Sequence, residues 1–195
     1  MTQSIQPEVE ERLRQGFRYL NRFMVLSWRL GLGAWGNRAD MSGQIMVLTH
    51  VGRKSGLRRR TPVNYAIVDG EVYCTAGFGP TSDWYRNVVA NPQVEIWLPE
   101  GWWAGVVEDV SASPQRLLIL RQVLIASGFA ARMAGIDPQL MSDTELDGVS
   151  AKYRLLRIRR ATPCTGPGGP GDLAWVWPLA TMGLLGLLLV RPRRK

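Results

Sequence analysis

From Pro7 to about Leu32 the apolar positions follow a helical period: Leu13, Phe17, Leu20, Met24 and Trp28 are spaced by four, three, four and four. Arg14, Arg18, Arg22 and Arg29 fall on another face. The pattern therefore predicts one amphipathic helix, either packed on a core with its arginines in water or laid on a membrane surface. Gly31, Gly33 and Gly36 end it. The period then changes from 3.6 to 2. Ile45 to Thr49 reads as a mostly apolar strand, Val63, Tyr65 and Ile67 alternate, and Asp69-Gly70 marks a tight turn into Val72, Cys74 and Ala76. Val94, Ile96 and Leu98 alternate again before a turn into Trp102 to Val110. Between these strands Ser82 to Ala90 reads as a short helix ended by Asn91-Pro92. Ser113-Pro114 opens another helix as N-cap and first helical residue, a second short helix is expected around Pro138 to Leu146, and Tyr153 to Ile158 reads as a last strand. Short antiparallel strands with inserted helices predict a small β-barrel with helical additions, mainly β with helices in class.

Length and composition agree with one domain plus an appendage. The chain has 195 residues, 46% hydrophobic and 21% charged, which fits a folded core. Its net charge is +8, but four positives are Arg191, Arg193, Arg194 and Lys195 at the end of the chain, and without them +4 remains. Overall basicity is thus weak evidence for a nucleic-acid partner. Cys74 and Cys164 give neither a metal spacing nor a disulfide framework, and the single His50 cannot build a histidine-rich metal site. Cys74 reads as a buried structural thiol and His50 as a structural residue at a strand end. No nucleophile, base and acid set stands out, so any redox chemistry would come from a bound cofactor.

Local charge is more informative than the sum. In "THVGRKSGLRRRTPVNY", residues 49 to 65, five cations occupy the eight positions from Arg53 to Arg60, with no acid nearer than Asp40 or Asp69. Gly52 and Gly56 permit a tight path, Ser55 can donate a further hydrogen bond, and backbone N–H groups with cationic heads suit an anionic ligand. A solvated basic hairpin turn is the plain alternative. A single-strand nucleic-acid groove would interleave aromatics with the cations, and residues 53 to 60 contain none.

The ordered set "GRKSGLRRRTPVNY", "DGEVYCTAGFG" and "DWYRNVVANPQVEI" resembles the deazaflavin-dependent nitroreductase family, whose members bind coenzyme F420 in a split β-barrel. The resemblance spans roughly Phe17 to Arg160. F420 carries a phosphodiester, a lactate carboxylate and an oligoglutamate tail, so its far end is a chain of negative charges. By that resemblance Gly52, Arg53, Lys54, Ser55 and Arg59 contact phosphate and tail, and Arg58 and Arg60 lengthen the groove for glutamates. Pro62 and Val63 face the deazaflavin ring, Ala76 and Gly77 lie near its reactive edge, and Trp84, Tyr85 and Asn87 belong to the helix that closes the pocket. Where relatives that reduce nitro compounds carry a hydroxyl residue and a nearby charge, this chain has Gly77-Phe78-Gly79-Pro80. The family's tyrosine-rich C-terminal pocket is thin here, since Tyr153 is the only tyrosine after Tyr85; no catalytic residue is assigned, and Tyr153 is the candidate. The resemblance implies an oxidoreductase that moves a hydride from reduced F420 to a hydrophobic acceptor, such as a quinone or a nitro or enone compound. A non-catalytic F420-binding protein and an FMN-binding split barrel are the alternatives.

The end of the chain adds a different expectation. Residues 161–171, ATPCTGPGGPG, read as a Gly/Pro linker, and Leu173 to Val190 is uncharged for eighteen residues before a basic tail. That length is at the low end for a membrane span, with Trp175 and Trp177 placed like an interfacial belt. The sequence thus divides into an N-terminal amphipathic helix at 1–36, a split-barrel domain at 37–160, the linker, and a transmembrane anchor at 172–195. The catalytic domain is then expected at a membrane, on its cytoplasmic face.

Overall fold

A computed structural model describes residues 19–35, 37, 43–133 and 135–190. Six strands form a closed antiparallel barrel: β1 (Ile45–Val51), β2 (Arg58–Val68), β3 (Glu71–Ala76), β4 (Gln93–Leu98), β5 (Gly101–Asp109) and β6 (Arg154–Pro163). The order around the barrel is β1-β2-β3-β6-β5-β4. Period-two patterning sets which side chains go inside: Met46, Leu48, Val63, Tyr65, Val72, Cys74, Ile96 and Ile158 share the interior core. Cys74 is fully buried, and burial pushes its thiol up to about 12, so it is inert at neutral pH.

The helices close the barrel's end and cover its outer face. A 3-10 turn at Gly79–Thr81 leads into α2 (Asp83–Ala90), which packs Val88 into the interior core at one barrel end, with Trp84 and Tyr85 against it. α3 (Arg116–Ala126) is apolar on two faces. Ile119 and Val123 lie on Ala66, Tyr73 and Leu155 of the sheet, while Leu120 and Leu124 meet Ala131 of α4 (Phe129–Met133) and Leu146 of α5 (Asp143–Ser150). The Ser113-Pro114 pair does not cap α3. Ser113 Oγ instead accepts from Gln115 N in the preceding turn, and the helix begins at Arg116. The helix expected near Pro138 starts later, at Asp143, where Ser142 and Glu145 make a reciprocal capping box.

Ladder registers show where the barrel parts. β2 pairs with β1 along Arg58 to Asn64, but β3 joins β2 only from Tyr65 onward, at Tyr65–Cys74. Above that point Thr75 and Ala76 pair with β6 alone. Tyr65 N donates to Gln44 O on the β1 side, so strand alternation turns the even positions of β2 toward the other edge. Pro62 occupies one of them. A residue without an N–H loses no ladder bond at an unpaired edge.

Helix α1 comprises residues 19–29; Leu13 and Phe17 lie outside the described residues. Trp28 anchors it, packing on Val47 and Trp97 of the barrel's outer face with Val25 and Trp102 beside it, while Leu20 and Phe23 are exposed. Residues 164–175, mostly linker-like in composition, run as a strap over this helix. Gly171 N donates to Trp28 O, Leu173 N donates to Arg29 O, and Arg29 clamps Asp172 through Nε (2.9 Å) and Nη2 (2.8 Å). Arg29 was expected to lie in water; the Asp172 carboxylate holds it instead and raises its pKa.

The transmembrane expectation is overturned. No helix among the described residues is long and apolar enough to cross a membrane. α6 (Val176–Val190) has 15 residues, a length of about 22 Å against the roughly 30 Å of a hydrocarbon core. The first three residues of the uncharged stretch are spent on the strap, with turn bonds from Val176 N to Leu173 O and from Trp177 N to Ala174 O. Trp177 is not free to sit in an interface, because its Nε1 donates to Leu30 O at 2.8 Å.

Candidate active site

Antiparallel topology brings the predicted residues to one barrel end. β1 finishes there and β2 begins, β3 arrives with Ala76, β6 departs after Tyr153, and α2 covers the end. The basic run is divided between a turn and a strand. Gly52 N donates to Leu57 O at 2.9 Å and Gly56 N to Gly52 O at 2.8 Å, which closes the turn. A side chain on Gly52 would put Cβ 2.7 Å from Ser55 Oγ and 3.0 Å from Arg59 Nε, so the glycine makes room for the two groups to converge.

Side-chain direction then sorts the cations. Arg58 and Arg60 point outward, away from the Thr61, Val63 and Tyr65 side of β2. Arg58 binds Glu95 at 2.6 Å. Arg60 donates to Gly168 O at 2.6 Å with its guanidinium 4.8 Å above Trp97, and burial lowers its pKa. These two hold the outer face and the strap. Arg53 turns the other way. Its Nη1 reaches Asn87 Oδ1 (2.9 Å), its Nη2 reaches Asp83 Oδ1 (3.0 Å), and its backbone N also donates to Asn87 Oδ1 (3.1 Å). The Arg53 bond holds the Asp83 carboxyl below its ordinary range. Among the described residues Lys54 and Arg59 make no ion pair, and the sole bond of Arg59 is a long one, 3.5 Å, to Ser55 Oγ.

Asn87 is buried, and its Nδ2 faces His50 Nδ1 at 3.4 Å; His50 Nε2 lies 3.1 Å from Thr61 Oγ1. Burial, with the nearby Arg59 charge and against the Val51 carbonyl, pushes His50 down to about 4, so the ring is neutral at pH 7. No local spacing announces this chain of contacts, because Asp83 and Asn87 stand 30 and 34 residues from Arg53.

Opposite the turn, Ala76 is buried at the end of β3 and Gly77 follows with the Tyr153 ring over it. A Cβ at Gly77 would stand 3.6 Å from Tyr153 Cζ, ordinary contact distance. Tyr153 packs against the Leu120–Leu146 cluster, and burial raises its phenol pKa, so it keeps its proton at neutral pH. Trp84 and Tyr85 both pack on the barrel interior, and the Tyr85 hydroxyl is committed to Asp109 Oδ2 at 2.5 Å. The Val63 side chain is likewise inside, which leaves only its backbone near the unpaired edge.

The family model for F420H(2)-dependent quinone reductase matches residues 21–142. The chain belongs to that family. Among solved structures, one match is a conserved hypothetical protein from Mycobacterium tuberculosis, at 20% identity and TM-score 0.45, over 66% of this chain and 86% of that one. Two further solved structures are an F420 reductase (18% identity, TM-score 0.43, 64% of this chain and 90% of that) and an F420-H2 dependent reductase (18%, 0.41, 59% and 93%). As a member of the quinone reductase family the protein is an oxidoreductase, and its cofactor is F420. The residues present fit such a group: Lys54 and Arg59 are unpaired beside a glycine cradle that a side chain would fill.

Proposed function

We propose that this F420-dependent oxidoreductase reduces an uncharged, hydrophobic acceptor of the quinone class at the end of the barrel covered by α2. The observation that carries the reading is the division of labour within the basic run. Three arginines are bound to protein groups, and Lys54 on the turn and Arg59 at the start of β2 are left for the anionic tail. Ser55 adds a hydroxyl beside them, and the two charges attract the tail over a range set by the Debye length. The unpaired edge of β2 around Pro62, facing Ala76 and Gly77, is the natural place for the planar ring. Reduced F420 when bound supplies a hydride, that is, two electrons and one proton.

The chain's own residues would then orient and exclude. The barrel cap made by Trp84 and Tyr85 keeps water out of the interior and fixes α2 beside the turn. Gly77 leaves its side-chain space to Tyr153, and the Tyr153 phenol, kept protonated by burial, donates a hydrogen bond to an acceptor oxygen as charge develops there. A second proton from water completes reduction of a quinone to a quinol. Residues 76–80 bring no charge to the site, which favours a neutral acceptor over a charged one.

The test is anaerobic oxidation of reduced F420 by a menaquinone analogue, a nitroaromatic and an enone. Turnover should be fastest with the quinone, and Tyr153→Phe should cut it by about tenfold to a hundredfold, as for loss of one transition-state hydrogen bond. Tight F420 binding without turnover of any acceptor would replace this reading with a cofactor-carrying role. Tighter binding of FMN than of F420 would contradict the tail assignment.

A further inference from the structure

We infer that His50 is a positioning residue for the cofactor-binding turn, acting through the Asn87 amide and the Arg53 guanidinium. The inference rests on the reading above, that Lys54 and Arg59 take the anionic tail. Four side chains from four parts of the fold form one line. Thr61 of β2 meets His50 of β1, His50 meets Asn87 of α2, and Asn87 holds Arg53 of the turn, whose far side is held by Asp83.

The Arg53 contacts orient the Asn87 amide. Two N–H groups of Arg53, one backbone and one guanidinium, converge on Asn87 Oδ1. The amide therefore presents Nδ2, a donor, to His50 Nδ1. We assign Nδ1 as the acceptor, which leaves Nε2–H to donate to Thr61 Oγ1; the Val51 carbonyl is a further acceptor beside the ring. A neutral imidazole supplies both roles, and His50 is only 2% exposed. Rotation of the Asn87 amide would turn a donor toward the two Arg53 donors and release the turn. With Arg53 drawn onto α2, the neighbouring Lys54 stays exposed on the turn, and the Gly52–Ser55 cradle is held where the Arg59 head of β2 meets it. His50 thus touches neither cofactor nor acceptor. It fixes the amide that fixes the turn.

The imidazole's two nitrogens can be imitated separately. In His50→Asn the side-chain oxygen falls near the place of Nδ1 and can still accept from Asn87. In His50→Gln the terminal group falls near the place of Nε2 and serves Thr61 alone. Asn is the poorer match to His in volume, so a role limited to packing ranks the two variants in the opposite order. The measurement is the affinity of the full chain for F420, by fluorescence titration at low salt, in each variant and in the same variants carrying Lys54→Ala and Arg59→Ala. His50→Gln should weaken binding by about tenfold and His50→Asn by no more than about threefold, as expected for one hydrogen bond in a buried network. The His50→Gln loss should vanish in the background that already lacks both cations, because there is then nothing to position. Asn87→Ala removes the same link from α2 and should match His50→Gln, which covers the case of a His50 variant that does not fold. The positioning role is overturned if His50→Asn binds more weakly than His50→Gln, or if the His50→Gln loss persists without the cations. If Lys54→Ala with Arg59→Ala leaves affinity unchanged, the tail reading itself fails, and the positioning role falls with it.

Discussion

At the scale of the residue, charge alone misleads and partners decide. Arg53, Arg58 and Arg60 look like Lys54 and Arg59 in the sequence, yet each ends on a carboxylate, an amide or a carbonyl of the protein. Alanine at Lys54 and Arg59 together should therefore weaken F420 binding by about 1–3 kcal/mol per charge-assisted bond lost. The loss should shrink as salt rises, because both heads are exposed. Unchanged affinity at low salt would remove the turn from the site. Arg58→Ala, by contrast, should leave affinity nearly unaltered, since its partner is Glu95. His50 gives a second expectation at this scale. Its folded pKa of about 4 lies below the ordinary 6.5, so the unfolded chain binds the extra proton first as pH falls. His50 therefore stabilises the fold above pH 6.5, and that contribution is lost between pH 6.5 and about 4, by on the order of 3 kcal/mol. Urea unfolding at several pH values should show a drop across this window that is smaller in His50→Asn than in wild type.

At the scale of the element, alternation made the strands legible and composition misrepresented the strap. Val63, Tyr65, Val72, Cys74, Val94 and Ile96 alternate in the sequence and lie inside the barrel in the structure. β2 nevertheless begins at Arg58, before the apolar pattern starts, because cations extend readily along an exposed edge. The candidate site was legible only as a motif. Its elements do meet at one end of the barrel, but whether a given arginine binds a ligand or a neighbour depends on contacts such as Arg60 with Gly168, which are far apart in sequence. The Gly/Pro segment reads as loose because its residues carry few side chains. Gly169 shows what that feature serves. A Cβ there would stand 2.5 Å from the Trp102 ring, so only glycine lets the strap lie flat on the indole. Gly169→Ala should accordingly cost about 1–3 kcal/mol, the usual range for overpacking, read as a lowered midpoint in thermal unfolding. An unchanged midpoint would mean that the strap does not bear on Trp102 in solution.

At the scale of the whole molecule, the barrel, α1 and the strap form one cooperative body, and α6 extends from it. Trp28, Val47 and Trp97 form a small outer core, and Arg60 lies over Trp97 with its Nη2 on the strap. α6 contributes little to that body beyond the Trp177 bond to Leu30, since Leu179, Leu184, Leu187 and Leu189 are all exposed. Two truncations separate these parts. Ending the chain after Pro178 keeps the strap, Asp172 and Trp177, so its urea midpoint should lie close to that of the full chain, within about 0.5 kcal/mol of stability. Ending it after Pro163 keeps β6 whole, because that strand stops there. It removes the partner of Arg29, the carbonyl under Arg60 and the cover on Trp102. Arg60 Nε is already buried without a partner, so losing the Gly168 carbonyl leaves a half-buried guanidinium with still fewer bonds. The shorter chain should lose on the order of 3 kcal/mol or more, from one unpaired cation and from aromatic surface returned to water. F420 affinity should change less than stability, because Lys54 and Arg59 lie at the Gly52–Ser55 cradle while Arg58 and Arg60 face the outer side of β2. Equal midpoints for the two truncations would show that the strap is not part of the folded body, and a collapse of affinity in the shorter chain with its barrel still folded would tie the strap to the site.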